Sequence, residues 1–369
     1  MKKIWHLVLT GGPCAGKTTA INTIEKKLTQ KGYTVLIVPE TATELITNGI
    51  RPYGNCLLPL DFQRILYSKQ LYKESLYERI ANLIPSDKIV ILYDRGMLDN
   101  KSYVSNEEFN MLLEELNLNE TIVRDKYDAV FHLVTAALGA EKYYTLANNA
   151  ARTETLDEAR ALDAQCIRNW TGHSHLRIID NSTDFDKKIN KLMAEIYSAI
   201  GDPVPIEIER KYLIEKPEID TLSNMVHLTV VDIVQTYLGP DNNNNERRVR
   251  KRGTNGNYTY YVATKKQIDT IKRIEIENKI SENEYLVLIS DSTTFSNTIT
   301  KKRICFVYEN QYFEIDLYDF SEDKAILEIE LTNENNTVQL PSFIKVIKEV
   351  TDDPNYWNYS LAKSQTLDF

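Results

Sequence analysis

Short apolar runs alternate with amphipathic stretches through the first two hundred residues. IWHLVLT, TVLIVPE, KIVILYDRG and DAVFHLVTA read as strands, apolar enough to be buried on both faces. GKTTAINTIEKKLTQKG reads as a helix closed by Gly32, and DFQRILYSKQLYKESLYERIANLI carries apolar residues at three- and four-residue spacing. TETLDEARALDAQCIRNW and DFDKKINKLMAEIYSAI complete the helical set. Strands alternating with helices predict an α/β domain with a parallel sheet covered on both faces.

Near residue 201 the texture changes. GDPVP breaks the last helix, and the strands that follow are alternating, charged and closely spaced, from PIEIERKYLI through RRVRKRG, YTYYVATKK and KRIEIENKI to AILEIELT. That is the pattern of an antiparallel sheet or barrel, here a β-barrel in an α+β domain. DNNNNE at 241–246 reads as a polar hairpin turn. A chain of 369 residues is long for one core, and the expected domains are 1–200 and 205–369.

Composition narrows the class. A hydrophobic share of 42% and a charged share of 26% indicate a globular protein rather than a disordered or fibrous one. The formal charge of −9 argues against a general nucleic-acid binder. Cys14, Cys56, Cys166 and Cys305 are scattered, with no zinc spacing, and fit reduced thiols in a cytoplasmic setting. MKKIWHLVLTGG imitates a signal peptide, but its apolar run is short, contains His6 and leads straight into glycines, so a buried first strand is the better reading. No stretch has the length of a membrane span.

Gly11, Gly16, Lys17 and Thr18 satisfy G-x-x-x-x-G-K-[ST], between a predicted strand and a predicted helix. Such a P-loop wraps phosphate oxygens with backbone N–H groups and adds the positive end of the helix dipole. Gly11, Gly12, Gly16, Lys17, Thr18 and Thr19 are the expected nucleotide-binding set, with ATP as ligand, Lys17 on the outer phosphates and Thr18 on Mg²⁺. Glu40 and Asp94 end strands and would converge on the γ-phosphate, one holding Mg²⁺ and one accepting a substrate proton. Strand-end carboxylates also cap following helices, so Glu40 keeps that alternative. Arg152 and Arg160 are candidates to neutralise charge during transfer, although Arg160 equally suits a surface pair with Glu154 or Asp157. His173 and His175 lack a third ligand and read as structural.

With GGPCAGKTT, YDRGMLD, ARTETLDEARALD and WTGHSHLRIIDN in hand, residues 1–200 resemble small P-loop ATPases related to nucleoside and nicotinamide-riboside kinases. The resemblance implies nucleotide binding and phosphoryl transfer to a small hydroxyl-bearing substrate.

In EIERK the charges Glu207, Glu209 and Lys211 alternate and so share one face of a strand. Arg248 and Arg250, Glu275 and Glu277, and Glu328 and Glu330 repeat the pattern, while Lys265, Arg303 and Asp316 add single charges on neighbouring strands. Any one such strand suits a solvent face. Repetition with both signs favours a lumen, where bases meet phosphate oxygens and paired carboxylates meet hard divalent cations.

From EIERK through RRVRKR, TKK and LEIEL to LPSFIKVIKEVTDDPNYWNYSLA, residues 205–369 resemble the CYTH family of triphosphate tunnel metalloenzymes. That family includes thiamine triphosphatases, inorganic triphosphatases and class IV adenylate cyclases. The resemblance implies that Glu207, Glu209, Asp316, Glu328 and Glu330 hold metal (Mg²⁺ or Mn²⁺). It implies that Lys211, Arg248, Arg250, Lys265 and Arg303 grip the triphosphate, Lys211 also as a catalytic residue. Glu275 and Glu277 are left to water or substrate. The expected activity is metal-dependent hydrolysis of inorganic or nucleoside triphosphate, with small phosphate compounds as partners and neither nucleic acid nor membrane. The alternatives are an adenylate cyclase regulated by the P-loop domain, and a nucleotide or polyphosphate sensor.

Overall fold

The computed structural model describes residues 2–144, 154–269, 272–290 and 297–369. The chain forms two compact units, Met1–Met193 and Ala194–Phe369.

The first unit contains, in chain order, β1 (Lys3–Gly11), α1 (Lys17–Gln30), β2 (Thr34–Val38), α2 (Thr41–Thr47), α3 (Pro59–Leu83), β3 (Lys88–Asp94), α4 (Asn106–Glu115), α5 (Glu120–Asp125), β4 (Ala129–Leu133), α6 (Leu156–Trp170), β5 (Leu176–Ile179) and α7 (Phe185–Ile200), whose last turns belong to the second unit. The sheet runs β2-β3-β1-β4-β5 and every pairing is parallel. Leu7, Val8 and Leu9 of β1, and Ile89 to Leu92 of β3, are wholly buried, as strands covered on both faces must be. β1 lies between β3 and β4, so the loop at its carboxyl end opens where the chain's connections diverge. β2 stops at Val38, earlier than the apolar run suggests, because Pro39 offers no N–H to a ladder. The short helices α2, α4 and α5 do not stand out in the hydrophobic pattern. α4 is nonetheless fixed locally by a Ser105–Glu108 capping box.

The second unit contains β6 (Ile206–Glu215), α8 (Ile219–Ser223), β7 (Leu228–Leu238), β8 (Glu246–Thr254), β9 (Asn257–Gln267), β10 (Lys272–Ile280), α9 (Glu282–Ser290), β11 (Asn297–Tyr308), β12 (Gln311–Tyr318), β13 (Lys324–Leu331), β14 (Val346–Glu349) and α10 (Asn358–Ser364). Strands β6 to β13 make a closed eight-stranded antiparallel barrel in the order β10-β9-β8-β7-β11-β12-β13-β6. It closes where Lys272–Ile274 pairs with Ile206–Ile208; further along, β6 turns to β14 instead. Tyr212, Ile214, Ile304, Phe306, Phe313, Ile315, Leu327 and Ile329 form one apolar cluster. Leu213, Tyr237, Ile299, Tyr318 and Ile326 form another with Leu361 and Ala362 of α10. These two clusters take opposite parities of the same strands, so each strand has two distinct faces. Among the described residues no helix is long and apolar enough to cross a membrane, and all four cysteines are free thiols.

Candidate functional sites

At the end of β1 the chain turns through Gly11 to Gly16 and enters α1. Gly16 takes φ 88°, a left-handed conformation that costs a glycine little, and serves as the N-cap without a side-chain bond. The α1 amides are thereby left facing outward at the positive end of the helix. Lys17 is buried and its Nζ donates to Gly11 O at 3.4 Å, while Thr18 and Thr19 are exposed in the first turn. Burial, followed by the Arg95 charge, lowers the Lys17 pKa against the pull of Asp94, Glu40 and Asp99.

Asp94 closes β3. Its Oδ1 is buried without a hydrogen-bond partner, and burial raises its pKa. Glu40 sits at the N-cap position of α2 but makes no backbone cap. It instead accepts from Thr43 Oγ1 at 2.8 Å and pairs with Arg95 Nε at 2.8 Å. Burial opposes its charge, yet Arg95 and Lys17 outweigh it and hold the carboxyl below its ordinary value. Arg95, overlooked in the sequence, also lies 3.8 Å from Asp99 and takes φ 70°. The signal available was its place next to a strand-end Asp94.

Arg152 lies outside the described residues. Arg160 makes the surface arrangement: its guanidinium binds Asp157 at 2.8 Å, Ala137 O at 2.8 Å and Glu141 at 3.4 Å. His173 Nε2 lies 3.0 Å from Tyr127 O, and its Nδ1 accepts the His175 N–H at 3.0 Å, so both histidines serve the fold.

In the barrel most of the alternating charges join a continuous run of ion pairs. Asp316 takes Arg303 through two 2.7 Å bonds and also Lys301. Arg303 continues to Glu314 and, at 2.6 Å, to Glu328. Glu328 pairs with Lys211, which lies 3.0 Å from Glu209. Glu209 pairs with Arg273, which reaches Glu207 at 3.0 Å; Lys265 then links Glu207 at 3.0 Å to Glu275 at 2.7 Å. Arg248 meets Glu275, and Arg250 meets Glu277, each at 2.7 Å. Most of these side chains are buried, so the solvent-face alternative for these strands is set aside.

The network and its burial move the members' protonation in different directions. Burial opposes charge on Glu328, but Lys211, Arg303 and Lys301 together drive its pKa well below the carboxylate range. Burial dominates at Glu314 and raises it. Burial also lowers Lys301 to about 8 despite Asp316. The Nε atoms of Arg248 and Arg250 are buried donors without a hydrogen-bond partner. Arg273, Lys301 and Glu314 were missed in the sequence, though each lies two residues from a recognised charge and so on the same strand face.

Residues 6–188 match the AAA domain family and residues 205–351 match the CYTH domain family. The chain joins an AAA domain to a CYTH domain. No curated protein matches it. Among solved structures, the inorganic triphosphatase NE1496 is 26% identical, with 43% of this chain and 95% of that one covered and a TM-score of 0.31. The PH1819 protein from Pyrococcus horikoshii OT3 is 19% identical, covering 35% of this chain and 80% of its own, at a TM-score of 0.29.

The register of the CYTH domain explains how its charges divide. Glu209 stands directly opposite Glu330 on β6 and β13, and Glu314 directly opposite Glu328 on β12 and β13. Elsewhere the opposed residues have opposite sign: Glu207 with Arg273, Lys265 with Glu275, and Arg303 with Asp316. Like charges opposed across a ladder are unfavourable, and oxygen-rich carboxylate pairs are the donor set that hard divalent cations take. The residues therefore fit such a cation. Among the described residues, no three His, Cys, Asp or Glu side chains already lie close enough to hold one. Glu209, Glu314 and Glu328 are engaged with bases instead.

Proposed function

We propose that the CYTH domain hydrolyses a triphosphate, inorganic or nucleoside, with Mg²⁺ or Mn²⁺. In the same reading the AAA domain binds ATP and transfers a phosphoryl group to a small hydroxyl-bearing molecule. The observation that carries the first part is the paired acidic register on β6, β12 and β13 beside a row of buried bases, within a domain matching the CYTH family.

The proposed chemistry is an exchange of partners. Triphosphate oxygens take Lys211, Arg248, Arg250, Lys265 and Arg303, whose charged hydrogen bonds now go to carboxylates. Glu207, Glu209, Glu328 and Glu330, with Asp316, are then free to hold the cation. When bound, that cation polarises the phosphoryl group and lowers the pKa of water. Lys211 stands between Glu209 and Glu328 and so keeps the transferred group beside the acidic set. A closed barrel limits bulk water and strengthens every such contact.

In the AAA domain, the later part of the Gly11–Gly16 loop and the amides of Lys17, Thr18 and Thr19 receive the phosphates, the Gly12 N–H being taken by Asp163. Thr18 and Asp94 suit Mg²⁺, since the buried Asp94 Oδ1 lacks a protein donor. Glu40, held deprotonated by Arg95, suits acceptance of the substrate proton. Arg152 is proposed to neutralise charge during transfer.

The test is phosphate release from inorganic triphosphate and from ATP with each cation. Wild type is compared with Lys17→Ala and with Glu207→Ala/Glu209→Ala. Triphosphate cleavage should survive the first change and disappear with the second. Absence of cleavage by wild type with either cation would end the hydrolase reading.

A further inference from the structure

Asp163 of α6 is 1% exposed, and one of its oxygens gathers donors from two other elements. Oδ1 accepts the Gly12 N–H at 2.8 Å and the Thr135 N–H at 3.0 Å, and His132 Nε2 lies 3.1 Å away. Oδ2 is buried without a hydrogen-bond partner. A buried carboxylate is tolerated only with such compensation. Burial would raise its pKa, but His132 and the two amides outweigh burial and lower it, so the carboxylate is held charged.

The contact with Gly12 is close. A Cβ at that position would stand 2.6 Å from Asp163 Oδ1, so the sequence needs glycine there for the carboxylate to reach the backbone. The next residue is tied to the same hinge, because Thr135 Oγ1 donates to Pro13 O. The far half of the loop is held separately: Lys188 Nζ donates to Val134 O at 2.8 Å, to Asn181 Oδ1 at 2.7 Å and to Ala15 O at 3.4 Å. The motif residues thus do not shape the loop alone.

We propose that Asp163 is a positioning residue for the nucleotide loop, fixing the turn at Gly12 and Pro13 before phosphate arrives. This rests on reading the loop as a nucleotide site. Fixing the Gly12 amide away from the phosphates lets the later amides converge on them, and a turn already ordered does not have to be ordered by the ligand. Without the carboxylate, the Gly12 and Thr135 N–H groups would be buried unpaired, and the loop would rearrange to satisfy them.

The experiment measures binding of a non-hydrolysable ATP analogue to the full chain by calorimetry. The component abolished by Lys17→Ala is assigned to the loop. Asp163→Ala should weaken that component about tenfold or more. Asp163→Asn, whose amide oxygen still accepts both N–H groups, should stay within about threefold. Far-UV circular dichroism of both variants should match wild type, which separates a loop effect from misfolding of the AAA domain, and hydrolysis of inorganic triphosphate in the other domain should be unchanged. Equal affinity in all three proteins overturns the inference, as does equal loss in both variants. Hydrogen exchange on wild type decides the matter even if the alanine variant does not fold. Gly12 and Thr135 amides protected like those of β1 support the inference, and exchange at open-loop rates overturns it. If wild type shows no Lys17-dependent binding, the nucleotide reading itself fails and takes this inference with it.

Discussion

Glu209 and Glu330 face each other in direct register across β6 and β13 inside the barrel. Two opposed carboxylates cost stability, roughly 0.2–1 kcal/mol for an adjacent pair. Their retention is understandable if a cation relieves the repulsion in the working state.

Glu330→Gln should therefore separate stability from activity. Removing one of the opposed charges is expected to raise stability in the cation-free protein by about 0.5 kcal/mol. The same change should lower triphosphate hydrolysis by at least about tenfold and raise the Mg²⁺ concentration needed for half activity. Thermal unfolding without cation and a Mg²⁺ titration of the rate check the two halves. A variant that loses stability and keeps its rate would show that Glu330 serves the fold.

Arg250 and Arg303 should respond differently to truncation. Arg250 pairs with Glu277 alone in the network described above, whereas Arg303 serves Glu314, Asp316 and Glu328. Arg303→Ala would leave three buried carboxylates short of a partner, and breaking a buried pair in this way costs on the order of 3–5 kcal/mol. Arg250→Ala should be milder for the fold and should mainly raise KM for triphosphate. Urea midpoints and steady-state kinetics on both variants distinguish these outcomes. Equal destabilisation would mean that the network does not concentrate on Arg303.

Much of this was readable before the structure because period and sign coincide. Period-two charge on β6, β8, β10 and β13 announced a single charged face. The context of Gly11–Thr18 announced the loop. Partner choice was not readable. Nothing local in RRVRKR says that Arg248 meets Glu275 while Arg250 meets Glu277, because register between strands is a long-range property. Lys301 was missed because TKKR places it two residues before the more conspicuous Arg303. Asp163 lay within ARTETLDEARALD, yet its contact with Gly12 spans 151 residues of chain, and helical periodicity alone gives it a buried position without a role.

Lys17→Ala should leave triphosphate hydrolysis in the CYTH domain within about twofold while removing nucleotide binding from the loop. Lys17 is the loop's own buried ammonium, and a P-loop without it loses its point charge on the outer phosphates. Hydrolysis assays and calorimetry on the same preparation suffice. Loss of hydrolysis together with nucleotide binding would mean that the two activities depend on one another.

Lys301 provides a pH dependence whose sign is fixed. Burial lowers its pKa to about 8 from the 10.5 of an exposed lysine. Below pH 8 both folded and unfolded chains carry the proton, and the folded state bears the cost of a buried charge. Between pH 8 and about 10.5 the unfolded chain binds a proton that the folded chain has released, so this group makes stability rise with pH, by at most about 1.4 kcal/mol per pH unit. Lys301→Met removes the titrating group and should flatten the pH dependence of stability over that window relative to wild type. Lys188, likewise lowered to about 8 by burial, should contribute in the same direction, and Lys188→Met should flatten it independently. Urea unfolding at half-unit steps from pH 7.5 to 10.5, on wild type and each variant, reads the effect as a difference between curves. If the wild-type and Lys301→Met curves run parallel across the window, Lys301 does not titrate there.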